Sequence, residues 1–221
     1  MRTKRRPARG GPERTEPVVS RPAHKPVHAE LLRLQATAGN RAVTAAIKAS
    51  RPPKVTTSYE DCPRDWKTRA DASAALSKQW LPPIVTRLYS MPQPVPYPIR
   101  SYISLYFGTT KRSDLQHIAY NYAQVLGALT GTIYFQCEKT CDNASAYMYV
   151  LGRDVHLCPA WFTQDPEERA ATVIHELAHL HFGADDVAYE DNPRFHKLSP
   201  GEAMNNADTY SEFVQETHAM F

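Results

Sequence analysis

Two histidines one helical turn apart constrain this chain more than any other feature of its sequence. Between Asp165 and Gly183 the local signals agree on a single helix. Asp165 is a good N-cap, Pro166 suits the first helical position, and Glu167 and Glu168 favour the positive end of the helix dipole. Gly183 is a good stop, so the helix is predicted to end at His181 or Phe182. On it His175 and His179 stand four residues apart and project from one face. That spacing lets two imidazole nitrogens bind one tetrahedral zinc ion, at about 2.0–2.1 Å each. Glu176 lies about 100° further round the helix, in reach of a water on the metal without becoming a ligand. Val173, Ile174, Leu177 and Ala178 supply the packing surface. A chance match to three fixed positions is on the order of one in a hundred in a chain this long. An exposed helix with ion-pairing His and Glu is therefore the weaker reading.

A catalytic zinc usually takes three protein ligands and one water. Downstream of the motif lie His181, Asp185, Asp186, Glu190, His196 and Glu202. His181 is two residues past His179 and points off the metal face. Asp185 and Asp186 are better placed, because a chain reversing at Gly183 brings a carboxylate back beneath the metal. Glu190 and Glu202 are the remaining alternatives.

The rest of the chain reads as α+β, mainly helical with a small β-sheet. Asp65 to Leu81 reads as a helix interrupted at Pro82-Pro83, with Ile84 to Tyr89 continuing beyond the kink. Prolines at 92, 94, 96 and 98 make that stretch loop or polyproline-like. Ser113-Asp114 begins a helix that runs through Leu129 and ends at Gly131. Three β-rich runs follow, Thr132–Gln136, Tyr147–Leu151 and Asp154–Cys158, with Gly152-Arg153 as a turn. Asp154–Cys158 is the candidate edge for pairing with an extended peptide. Ser199, Pro200 and Glu202 form a capping box that opens a helix reaching nearly to the C-terminus. The domain organisation is a tail over 1–28, a helical hairpin over 29–50, a linker over 51–60 and a catalytic domain over 61–221. Cys62, Cys137, Cys141 and Cys158 are an even number with three pairings open to them. Cys137, Cys141 and Cys158 alternatively have loose zinc-site spacing.

Several stretches resemble one known family. Gly183-Ala184-Asp185-Asp186-Val187-Ala188-Tyr189 resembles the Gly-Thr-x-Asp-x-x-Tyr segment of the deuterolysin-like zinc endopeptidases, the aspzincins. Asn206-Ala207-Asp208-Thr209-Tyr210 resembles the Asn-Ala-Asp-x-Tyr run on their following helix. Cys158-Pro159-Ala160-Trp161-Phe162 is similar to the stretch before their zinc helix. The likeness covers roughly residues 130–215 in consistent order. It implies a zincin-like fold and zinc-dependent cleavage of peptide bonds in proteins. It implies His175, His179 and Asp186 as zinc ligands, with Asp185 the alternative to Asp186, and Tyr189 as transition-state stabiliser. Glu176 would take a proton from zinc-bound water and pass it to the leaving amine. It also favours disulfides over a cysteine metal site. Ala184 departs from the family's Thr, Glu190 from a commonly found Gly, and the loop from His179 to Asp186 is shorter than in some members. Some members cut before lysine with an Asp and a Glu on the later helix. Asp208 matches the first and Ser211 aligns with the second, with Glu212 next door. Asp208 and Glu212 are thus candidate substrate-binding residues, and Asp208 reads equally as an acceptor steadying a ligand histidine.

The N-terminal fifty residues point elsewhere. Residues 1–14 are dense in Arg and Lys and lead into Pro-rich polar sequence, a composition that buries too little apolar surface to order itself. The net charge of +3 is too small to argue for nucleic acid or a membrane surface. No apolar run is long enough to span a bilayer. No apolar segment follows the basic N-terminus, so no classical signal peptide is expected. Leu32-Arg33-Leu34-Gln35-Ala36-Thr37-Ala38-Gly39-Asn40-Arg41-Ala42-Val43 resembles a short element of cargo proteins of contractile injection systems. It implies a toxin-like or effector protease, secreted or delivered through residues 1–50 by an injection apparatus; without that route the chain is expected in the cytoplasm. A docking hairpin is the plainer reading of the same residues. The competing function is a metal-binding cargo or interaction module without turnover, motivated by Ala184 and Glu190.

Overall fold

A computed structural model describes residues 55–141, 144–147 and 154–221. The predicted tail and hairpin, residues 51–54 of the linker, residues 148–151 of one predicted strand and the Gly152-Arg153 turn lie outside the described residues.

The helices are α1 (Arg64–Tyr89), α2 (Ile99–Phe107), α3 (Arg112–Thr130), α4 (Pro166–Phe182), α5 (Pro200–Met204) and α6 (Ala207–Thr217). The strands are β1 (Thr56–Glu60), β2 (Thr132–Cys137), β3 (Ala146–Tyr147) and β4 (Asp154–Leu157). α1 packs against α3 and α4, and α6 closes over the other side of α4. The buried helix at the centre is therefore α4.

The sheet order is β1-β2-β4-β3. β1 and β2 run parallel with Thr56 opposite Thr132, and β2 and β4 run parallel with Phe135 opposite Val155. β3 is antiparallel to β4, Tyr147 facing His156. A parallel neighbour needs a long crossover, here supplied by α1 to α3 between β1 and β2. Ile133 and Phe135 on β2, with Val155 and Leu157 on β4, join the helical core, while Tyr134 between them is exposed. The alternation is that of a sheet with one face packed.

Four expectations need correction. Pro82 and Pro83 do not interrupt α1, which is continuous through them. An internal proline costs about 3 kcal/mol. Trp80, Leu81, Ile84 and Val85 around the pair are buried, and full burial of such side chains is worth about 1.5–3 kcal/mol each. The stretch read as linker contains β1, whose Tyr59 ring stacks on Phe135 with centroids 5.8 Å apart. α2 was not foreseen, although Ile99, Ile103, Tyr106 and Phe107 are buried at helical spacing and Gly108 closes it at φ 62°. The C-terminal helix is two helices, broken at Asn205-Asn206.

Cys62 pairs with Cys137 and Cys141 with Cys158, so the cysteines form disulfides and not a metal site. The first ties the segment after β1 to the end of β2. The second ties the stretch before β3 to the end of β4. No helix among the described residues is long and apolar enough to cross a membrane.

Candidate metal and catalytic site

α4 begins and ends where its local chemistry requires. The Asp165 carboxylate accepts from Glu167 N at 2.8 Å and Glu168 N at 2.9 Å, and Glu168 reaches back to Asp165 N. Gly183 closes the helix in the left-handed region, at φ 72°. Between these caps Val173, Ile174 and Leu177 face the core, which turns His175 and His179 toward a cleft.

The chain then reverses and Asp186 comes back against both imidazoles. His175 Nε2 lies 3.1 Å from His179 Nε2, and Asp186 Oδ1 lies 3.2 Å from the first and 3.1 Å from the second. Each imidazole is held from behind. His179 Nδ1 donates to Ala184 O at 2.7 Å, and His175 Nδ1 stands 3.4 Å from Asp208 Oδ1. With both Nδ1 atoms acting as donors, each Nε2 is the nitrogen left to take a cation, whether a proton or a metal ion. Two such nitrogens and a carboxylate oxygen thus converge on one point, an arrangement that repels itself unless a cation sits among them. A tetrahedral zinc with donors at about 2.0–2.1 Å has donor–donor edges of about 3.3 Å. The donor set and its dimensions fit that ion. Among the described residues these three form the group able to hold a metal.

Electrostatics points the same way. Burial disfavours a charged His175, yet Asp186 and Asp208 push it up to about 10. Asp186 is held well below the ordinary carboxylate range by the two imidazoles, against the burial that raises it. The pocket attracts positive charge. Burial pushes the Glu176 carboxyl up, offset in part by His175 and His179. Burial, with Asp186 next, also raises the Tyr189 hydroxyl, so it remains a donor. The Tyr189 ring lies nearly parallel to His175, centroids 6.0 Å apart, and is 51% exposed.

The other candidates separate clearly. Asp185 turns its carboxylate to Asn205 Nδ2 at 2.7 Å, away from the histidines. Glu202 is engaged by Ser199 and Arg194. His181 and His196 are exposed and outside the group. Asp208 is buried, and its second oxygen accepts from Glu190 N at 2.7 Å. Ser211 is buried and donates to Asp208 O, while Glu212 lines the cleft. Burial and the charges of Asp208, Glu190 and Glu216 push Glu212 up to about 8. One further correction concerns the sheet: β4 lies between β2 and β3, so β3 is the edge, and residues 144–147 line the cleft. Asn205 was missed, and Asn206 entered only as part of the Asn-Ala-Asp-x-Tyr run, with no role given to it. Two adjacent asparagines inside a helical pattern were the available signal.

The aspzincin family model, described as lysine-specific metallo-endopeptidase, matches residues 100–215. A peptidyl-Lys metalloendopeptidase of Armillaria mellea is 30% identical over 95 residues, covering 38% of this chain and 27% of that protein. An extracellular protease of Aeromonas hydrophila is 29% identical over 122 residues, covering 51% of this chain and 35% of that protein. The chain thus spans about a third of the length of these relatives. The solved structure of a zinc peptidase from Grifola frondosa superposes with a TM-score of 0.59 at 21% identity, over 71% of this chain and 98% of that one. That likeness shows a shared fold. The family match extends over more than half of the chain, and with it the chain belongs to the aspzincin family of metallo-endopeptidases, whose cofactor is zinc.

Proposed function

We propose that this chain is a zinc-dependent endopeptidase that cleaves proteins before lysine. The observation that carries the reading is the convergence of His175 Nε2, His179 Nε2 and Asp186 Oδ1 within 3.2 Å of one another. These three residues hold the zinc. When bound, zinc supplies Lewis-acid activation of water and of the scissile carbonyl. Glu176, next to the first ligand and with its carboxyl pushed up by burial, takes a proton from the attacking water and returns it to the leaving amine. Tyr189, protonated and half exposed at the cleft, donates to the developing oxyanion, a contact typically worth about 3–4 kcal/mol. The β3 edge pairs with an extended substrate backbone.

The preference for lysine rests on the cleft wall formed by Glu190, Asp208 and Glu212. An ammonium group arriving there opposes the burial and the neighbouring carboxylate charges that push Glu212 up. Asp208, already bound to Glu190 N and facing His175, serves chiefly as the acceptor behind that ligand. Two disulfides suit an oxidising compartment, and secretion or delivery through residues 1–50 belongs to the same proposal.

The test is chelator-sensitive cleavage of an unfolded protein and a mixed peptide library by wild type and Glu176→Gln at matched zinc content. Wild type is expected to cut before lysine. The variant is expected to keep zinc and lose about 10²–10⁴ in kcat. If both proteins are inert across the library, the enzyme reading is lost. Equal cleavage by both removes Glu176 from the mechanism.

A further inference from the structure

Asp186 sits on an irregular segment between α4 and α5, where no helix or strand fixes its backbone. A ligand there needs another support. We propose that Asn206, at the break between α5 and α6, is the positioning residue that sets Asp186 for the metal. The proposal rests on the zinc site described above.

Asn206 is fully buried. Its Oδ1 accepts from Val187 N at 2.9 Å and Ala188 N at 3.1 Å. Its Nδ2 donates to Ala188 O at 2.9 Å and Thr209 Oγ1 at 3.0 Å. All four hydrogen-bonding sites of the amide are used, and three of them hold the two residues that follow Asp186. Only one orientation of the amide satisfies this set, because the two N–H groups must face oxygen and the carbonyl must face nitrogen. The residue before Asp186 is held by the same break. Asp185 N donates to Asn205 O at 2.7 Å, and Ala207 N donates to Asp185 O at 3.0 Å. Asp186 is thus pinned on both sides by residues 205–207.

This gives the break its purpose. A continuous helix would spend the Asn205 carbonyl and the Ala207 N–H on its own turns. Broken, it offers them to the ligand loop. The freed end of α5 is satisfied by the buried Tyr210, whose hydroxyl donates to Met204 O at 3.0 Å and accepts from Asn121 Nδ2 at 2.7 Å.

The experiment measures zinc affinity by competition, together with the cobalt(II) ligand-field spectrum, which reports coordination number. The proteins are wild type, N206L, N206D and the control S77A. Ser77 donates to Ala170 O in the core away from the cleft, so its loss weakens the fold without touching the loop. N206L removes all four bonds. N206D keeps both acceptors, sets a carboxylate oxygen against Ala188 O, and serves where N206L does not fold. Zinc affinity of the folded Asn206 variants is expected to fall about 10–100-fold, the range for groups that orient a ligand, with a weakened cobalt spectrum. S77A is expected to melt earlier and bind zinc like wild type. Wild-type affinity and spectrum in N206D overturn the proposal. So does an affinity loss in S77A equal to that of the Asn206 variants. A wild-type chain that takes up no zinc overturns the metal site itself, and is told apart because no variant is needed to see it.

Discussion

Glu212 carries a pH-dependent penalty that glutamine at the same position removes. Burial, joined by Asp208 and Glu216 on its own helix and Glu190 on the ligand loop, pushes its carboxyl from an ordinary 4.5 up to about 8; His175 on α4 acts in the opposite sense. In the unfolded chain the same group titrates near its ordinary value. Between the two values the folded protein therefore holds a proton that the unfolded chain has released. Since the folded state binds more protons, this group makes stability fall as pH rises from 4.5 through about 8. Below that window the acid is neutral in both states, and Glu and Gln are electrostatically alike. At about 1.4 kcal/mol per pH unit, the full span comes to roughly 5 kcal/mol. Glu212→Gln is thus expected to be more stable than wild type by roughly 1 kcal/mol at pH 5.5 and roughly 4–5 kcal/mol at pH 8.5. Urea unfolding of the zinc-free proteins at those two pH values measures it. An advantage of the same size at both pH values, or none at pH 8.5, refutes the reasoning.

Asp186→Asn is expected to weaken zinc binding by more than about 100-fold, beyond the range for a group that only orients a ligand, while Asp185→Asn stays within about tenfold. Equilibrium competition with a chromophoric chelator measures both, and reversal of the order assigns the ligand to Asp185. The two disulfides close loops with sequence separations of 75 and 17 residues. Chain entropy then predicts losses of about 4.5 kcal/mol for C62S/C137S and about 3 kcal/mol for C141S/C158S, read by urea unfolding. A larger loss in the second pair contradicts that account. Asp165→Ala removes two cap hydrogen bonds on α4 and is expected to cost about 1–2 kcal/mol in the same assay, leaving zinc affinity unchanged.

The elements legible in the sequence are those whose determinants are local. Asp165, Pro166, Glu168 and Gly183 bound α4 within nineteen residues, and the observed helix starts and stops where they say. Gly131 follows α3 where the sequence places the stop, though without the left-handed turn that Gly183 makes. That His175 and His179 share a face follows from helical periodicity alone. What the sequence withheld depends on partners far along the chain. β1 is a strand because residues near 132 pair with it across seventy-odd positions. α1 survives Pro82 and Pro83 because its flanking side chains are buried by other elements. Asp185 and Asp186 are chemically identical neighbours, and nothing local distinguishes them. Asn205, twenty residues away, draws one carboxylate aside and leaves the other facing the histidines.

That last dependence extends to the whole site. α4 contributes two imidazoles, but it does not orient them alone. His179 is turned by Ala184 O on the loop, His175 faces Asp208 on α6, and the loop bearing Asp186 is fastened at the break before α6. Each of the three donors therefore answers to a support C-terminal to α4, in residues 184–208. A His-Glu-x-x-His helix docked on a different neighbour would keep its periodicity and lose this convergence. The pairing of α4 with the broken C-terminal helix, rather than the motif taken alone, is what makes three donor atoms meet at the spacing a zinc ion requires.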